Sequence, residues 1–169
     1  IHFPRATVPS IVFYNLHNCA AVHFIEADNS SYLCSNRKDS TYIYMKNIAE
    51  TYWKRKKMPI PHLLLSDYEG RNVWSHKGIV HWRGMNICMV TDGYWRNKSA
   101  TNLLDIDYMY LCKGYKGEIA PLQKLFHIKR IVLDASLGDY KSKAYKEECK
   151  TLGLDYIDIS EKGSFRILL

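Results

Sequence analysis

The back third of the chain constrains the fold most tightly. Arg130-Ile131-Val132-Leu133-Asp134 is an apolar run that does not alternate, as expected of a strand covered on both faces. It is preceded by a probable strand at 107–112 and a short helix at 118–126 with Pro121 in its first turn. It is followed by a helix that Asp139 or Ser142 opens and that Gly153 ends. Residues 154–160 and 163–169 then read as a closing hairpin. The order strand, helix, strand, helix, strand, strand belongs to sheets with helices packed on them, an α/β layered sandwich.

The front of the chain differs in kind. Residues 10–16 and 21–26 are β-branched and aromatic runs around a short polar turn, and a third run at 32–34 follows the turn at 28–31, so a meander opens the domain. From 40 to 57 the period changes: Tyr44, Ile48 and Tyr52 recur four apart, which predicts an amphipathic helix stopped by Pro59 and Pro61. Lys54, Arg55, Lys56 and Lys57 complement the dipole at its C-terminal end. Short strands at 62–66, 72–75, 79–82 and 86–91, punctuated by Gly70, Gly78 and Gly84, make a second β-rich block.

A length of 169 residues suits one well-buried core, so residues 1–169 are expected to form a single domain. With 47% hydrophobic and 24% charged residues the composition excludes wholesale disorder. No window reaches the roughly twenty apolar residues of a membrane span, so the piece is expected to be soluble. The first residues, Ile1-His2-Phe3-Pro4, carry neither an initiator methionine nor a leader and look like the start of a piece excised from something longer. The five cysteines, Cys19, Cys34, Cys88, Cys112 and Cys149, are odd in number, lack CxxC spacing and sit mostly in apolar runs, so they read as buried free thiols. A net charge of +7 favours an anionic partner, nucleic acid or an anionic membrane surface.

Chemistry-bearing residues are sparse. The seven histidines are scattered, and only His76 and His81, five apart across a glycine turn, could join Asp92 in a metal site. Satisfied core or surface histidines, with Asp92 as a turn aspartate before Gly93, are the plainer reading. Ser136, Ser142 and Ser160 have no nucleophile-elbow context, and 113–117 lacks the spacing of a phosphate loop. Basic residues interleaved with aromatics are more suggestive: Trp53 with Lys54, Arg55, Lys56 and Lys57; Tyr94 and Trp95 with Arg96 and Lys98; Tyr115 with Lys113 and Lys116. Such pairings suit single-stranded nucleic acid, where cations meet phosphates and rings stack on bases. Convergence of these segments on one face would separate that role from solvated loops and helix ends.

The order of the elements resembles the metallo-β-lactamase-like C-terminal domain of ComEC-type competence proteins. Residues 12–26 resemble the family's first hairpin, with 16–21 in place of its "VGQGDA"-like turn and Glu26 as the closing carboxylate. Residues 78–93 look like the paired strands that lead to a "GD" motif, here inverted as Asp92-Gly93, and 131–167 are similar to the closing strand, helix and hairpin. Active members carry an HxHxDH motif and an "HHGS"-like turn that hold zinc or manganese for hydrolysis. This sequence has no HxHxDH, and Cys112-Lys113-Gly114-Tyr115-Lys116 fills the second turn. Lysine is a poor metal ligand at neutral pH, because its amine must first lose a proton.

The resemblance therefore implies a shortened, degenerate metallo-β-lactamase-like sandwich of two mixed sheets flanked by helices. The parent would be an inner-membrane channel protein of DNA uptake, with this domain on its periplasmic or extracellular side. Its expected role is non-catalytic: contact with single-stranded DNA or with the channel domain of the same chain, without cofactor, metal or small-molecule ligand. Two other roles stay open. One is a divergent metal-dependent nuclease or phosphodiesterase acting on the non-transported strand, with ligands from His76, His81, Asp92 or Glu118; the other is a purely structural module.

Overall fold

The computed structural model describes residues 8–16, 19–36, 54–55, 59–64 and 67–169. In chain order, β1 (Ser10–Phe13), β2 (Ala21–Ile25) and β3 (Ser31–Ser35) form the expected meander, and β4 (His62–Leu63) adds to it in parallel. Next come β5 (Tyr68–Glu69), β6 (Val73–His76), β7 (Ile79–Trp82) and β8 (Met85–Val90), in which β5–β6, β6–β7 and β7–β8 pair antiparallel. β9 (Leu104–Ile106), β10 (Tyr108–Leu111), a short 3-10 helix (Ala120–Lys124), β11 (Phe126–Ile128) and β12 (Arg130–Leu133) follow. The chain closes with α1 (Asp139–Leu152), β13 (Asp155–Asp158), the single-turn α2 (Ile159–Lys162) and β14 (Phe165–Leu168). The predicted helix at 40–57 lies outside the described residues except for Lys54 and Arg55, which are helical and exposed.

These strands make two large mixed sheets, ordered β14-β1-β2-β3-β4 and β13-β12-β10-β8-β7-β6-β5, with β9 and β11 as a small parallel pair beside them. The inward faces supply one continuous core. Ile11, Phe13, Val22 and Phe24 from the first sheet meet Trp82, Met89, Tyr110 and Val132 from the second. Phe24 meets Trp82 edge-on at 5.6 Å between ring centroids, and Phe13 meets Tyr110 in the same manner at 5.0 Å. The indole N–H of Trp82 donates to Glu26 Oε1 at 2.6 Å, which ties the end of β2 to the second sheet.

The outer face of the second sheet carries Cys88, Met109, Leu111 and Ile131 against Tyr145 and Cys149 of α1, so β12 is covered on both sides as its sequence predicts. All five cysteines are free and buried, and burial pushes the Cys34 thiol up to about 12. On the outer face of the first sheet, fully buried His23 places Nδ1 2.6 Å from the Tyr14 hydroxyl. Burial, helped by the charge of Arg166, lowers its pKa to about 3, so this imidazole is a neutral core group.

One sequence expectation is sharpened and one is corrected. The short helix expected at 118–126 is a 3-10 helix over Ala120–Lys124 with Pro121 in its first turn, and β11 follows it. Residues 154–160 and 163–169 do not form a hairpin, because β13 pairs in parallel with β12 while β14 pairs antiparallel with β1 in the other sheet. The Asp158 carboxylate makes this crossing. Its Oδ1 accepts the Ser160 N–H at 2.9 Å, capping α2, and its Oδ2 lies 2.7 Å from Lys146 Nζ on α1.

Burial raises the Asp158 carboxyl, but the Lys146 ammonium and the Ser160 donors outweigh it and leave the group below its ordinary 3.8. A carboxyl depressed in the folded state stabilises the fold above its unfolded pKa and loses that contribution as pH falls through the folded one. Thermal melts of wild type and Asp158→Asn should therefore differ by a constant margin from neutral pH down to about 5, and the margin should close below about 4. A margin that persists unchanged at pH 2 would sink this assignment.

Candidate functional site

β8, β10, β12 and β13 run parallel as neighbours, so their carboxyl ends open onto one edge of the sandwich. Ligands of such sheets collect beyond the carboxyl ends, where loops are free to diverge while their anchors stay fixed. The loops here begin at Thr91, Cys112 and Asp134. Buried Asp134 accepts from the Tyr110 hydroxyl and from the Ser136 N–H, and burial pushes its carboxyl up. Ser136 Oγ in turn accepts the Lys113 N–H at 3.1 Å.

The Lys113 turn is held on every side. Gly114 has φ +108, and its α-carbon packs against the Thr91 carbonyl so closely that a β-carbon there would overlap the oxygen. Lys141 Nζ donates to the carbonyls of Lys116 and Gly117 at 3.2 and 3.1 Å, and the Tyr145 hydroxyl donates to that of Gly117 at 2.8 Å. Lys113 and Lys116 are left exposed at a fixed position. Tyr115 is buried, with its hydroxyl donating to the Glu118 carbonyl at 2.6 Å, so it braces the turn and offers no ring face to a ligand.

Beside this turn the two sheets part in a cleft of about 670 Å³. Cys34 lies in its lining, the β6–β7 hairpin contributes His76 and Lys77, and the loop after β8 contributes Asp92, Tyr94 and Trp95. Lys77 has φ 49, a left-handed conformation that lysine seldom adopts. It is fixed by Asp67, whose Oδ1 accepts the Lys77 N–H at 3.1 Å while Oδ2 lies 2.7 Å from His76 Nδ1. The Lys77 N–H, and after it the His76 bond, hold the Asp67 carboxyl below its usual range.

The loop after β8 is built the same way. Asp92 Oδ1 accepts the Tyr94 N–H at 2.9 Å, the turn aspartate that its sequence context suggests. Lys98 Nζ donates to the Tyr94 carbonyl and lies 4.2 Å from the centre of the Tyr94 ring; Lys77 Nζ lies 5.2 Å from the same ring. Two ammonium groups thus share one exposed aromatic, each drawn to its negative face. Trp95 stands edge-on to Tyr94 at 4.7 Å and to Phe126 at 5.2 Å, which fixes the indole in the cleft wall. Burial and then Glu148 push the Tyr115 phenol up, and Arg96 opposes them, so Arg96 links this loop electrostatically to the Lys113 turn.

The segments around Trp95 and Lys113 therefore converge on one edge. Lys54 and Arg55 are exposed, and Lys56 and Lys57 lie outside the described residues. Of the four metal candidates, His76 and Asp92 both line the cleft, whereas His81 and Glu118 do not. His81 Nδ1 lies 2.6 Å from Asn86 Oδ1, and Glu118 is exposed beyond the Lys113 turn. Among the described residues no group of three or more His, Cys, Asp or Glu side chains is arranged to hold a metal ion. Within the cleft His76 Nδ1 lies against Asp67, and one Asp92 oxygen accepts the Tyr94 N–H. Asp67 and Lys77 were missed in the sequence, although Lys77-Gly78 as a two-residue hairpin loop was the signal for one of them.

A family model for the ComEC C-terminal domain matches residues 11–169. The chain belongs to the ComEC C-terminal domain family. Membership gives this ComEC domain a role in the DNA uptake of competence, in a family associated with membrane proteins. Among its described residues no helix is long and apolar enough to cross a membrane. No curated protein and no solved structure matches the chain.

Proposed function

We propose that this ComEC domain is a non-catalytic accessory domain, built on a shortened metallo-β-lactamase-like frame, that contacts single-stranded DNA during uptake. It works on the periplasmic or extracellular side of the inner membrane, next to the channel domain of its parent chain. The observation that carries this reading is the meeting of two basic–aromatic segments at one sheet edge, where Lys77 and Lys98 flank Tyr94 and the Lys113 turn rests on Thr91. Fixed cations beside an exposed ring suit a strand whose phosphates and bases alternate.

The test is the affinity of the domain for single-stranded DNA across a salt series. Phosphate contacts release counterions, so log K should fall linearly with log salt, with a slope of about −0.7 for each contact. Lys98→Ala should weaken binding and flatten the slope by about that amount. Absence of any salt-sensitive affinity would make the domain a structural module instead. Stoichiometric metal in protein purified without chelator, with manganese-dependent DNA degradation that Asp92→Ala abolishes, would make it a nuclease.

A further inference from the structure

The outer face of the second sheet is covered unevenly. Over β8, β10 and β12 it lies under α1 and the 3-10 helix, through Cys88, Met109, Leu111 and Ile131, whereas on β6 and β7 only Ile79 joins that cluster. The rest of this face is open among the described residues. Trp74 pairs across the strands with His81 and His76 with Ile79, so these four side chains share one side of the hairpin. Trp74 keeps 40% of its surface exposed, His81 is exposed and His76 partly so, while Ile79 is buried. The face of β6 and β7 therefore shows three rings to solvent and no aliphatic side chain.

The rings lead on from the basic rim. Trp95 packs on the same cluster as Ile79, which puts Trp95 and its edge-on neighbour Tyr94 on this side of the sheet. Lys77, 5.2 Å from the Tyr94 ring, follows His76 in the chain, and the His76 ring lies 6.0 Å from that of Trp74 at a tilt of 36°. At that distance and tilt the two do not stack on each other, so each has a face for a base. Asp67 Oδ2, 2.7 Å from His76 Nδ1, fixes the imidazole by its edge. An amphipathic helix docks its apolar stripe into a hydrophobic groove, and none is present on this face; flat rings next to cations suit bases and phosphates.

We propose that the single strand held at the Tyr94 rim continues over the β6–β7 turn and stacks its bases on His76 and Trp74, with Lys77 and Lys98 on the phosphates where it turns. This rests on the single-strand reading above and extends it from a rim to a path. Glu69, opposite Trp74 on β5, is exposed and acidic and bounds the path on that side.

Stacking involves no phosphate, so it has a signature of its own in a salt series. Trp74→Leu keeps an apolar side chain on the strand and removes the ring; it should weaken oligodeoxythymidylate binding about tenfold at every salt concentration and leave the slope of log K against log salt unchanged. Trp74→Phe restores a ring and should bind within about threefold of wild type, with weaker quenching of tryptophan fluorescence because the stacked indole is gone. Wild-type affinity in Trp74→Leu would overturn the path and leave the Tyr94 rim as the DNA contact. A flattened slope in that variant would overturn it as well, since Trp74 would then act by holding Lys77. Quenching in Trp74→Phe equal to that of wild type would do the same, and it can be read even where Trp74→Leu does not fold. Self-association of the protein that Trp74→Leu abolishes would assign the face to a second copy and overturn the path. Absence of salt-sensitive binding by the wild-type protein would overturn the path together with the reading beneath it.

Discussion

Replacing Trp82 with alanine should lower the stability of the domain by about 4 kcal/mol, the upper range for removing a buried aromatic. Trp82 is fully buried where the two sheets meet, so its loss opens a cavity that neither sheet can close alone. It also removes the N–H that Glu26 Oε1 accepts at 2.6 Å, a bond to an ionised group in a buried place. Trp82→Phe separates the two effects: it keeps a ring against Phe24 and loses the donor, and should cost about 2 kcal/mol. Equilibrium unfolding in urea, followed by circular dichroism, measures both. A Trp82→Ala loss below about 1 kcal/mol would mean that the sheets do not pack through this residue.

Gly114→Ala is the second large effect expected, and its cause is backbone rather than core. At φ +108 an L-residue is strained, which alone costs about 1–3 kcal/mol, and the new methyl would press on the Thr91 carbonyl. Thr91 cannot retreat easily, since the neighbouring Val90 carbonyl accepts the Cys112 N–H at 3.1 Å. The Gly84→Ala variant is the control. Gly84 has φ +76 but nothing within 4 Å of a built β-carbon, so it should show the conformational cost of about 1 kcal/mol alone. If the two alanines prove equally mild, the Lys113 turn does not rest on Thr91.

Much of this fold was legible because turn residues mark strand ends. The strands at 72–91 are fixed by Gly78 and Gly84, and the apolar run at Ile131-Val132-Leu133 announces its own double burial. Pro121 marks the start of the 3-10 helix at Ala120–Lys124, and the Glu148 carboxylate of α1, distant in sequence, accepts the N–H groups of Ile119 and Ala120 at its head, at 2.7 and 2.8 Å. The error lies at the C-terminal end. The closing runs look like a hairpin because both are apolar and only a short polar stretch divides them. Asp158 and Ser160 could have been read as a cap that breaks the strand, which is their role. In the site, the cations of the Trp95 and Lys113 segments were visible as composition, but their shared edge depends on the parallel pairing of β8 with β10. Asp67 had no local signal, since its two partners belong to a hairpin tip that only the folded chain brings to it.

The β1–β14 pairing has a consequence for the order in which the chain can be completed. Its register matches Ser10 with Leu168 and Phe13 with Phe165, so β1 waits for a strand made more than 150 residues after it. Until then β1 offers an unpaired rim of amides and carbonyls, and Phe13 lacks the aromatic neighbour 6.4 Å away that finishes its packing. β1 can therefore take up its pairing with β2 well before its other edge is covered, and β14 acts as the zip that closes the sandwich.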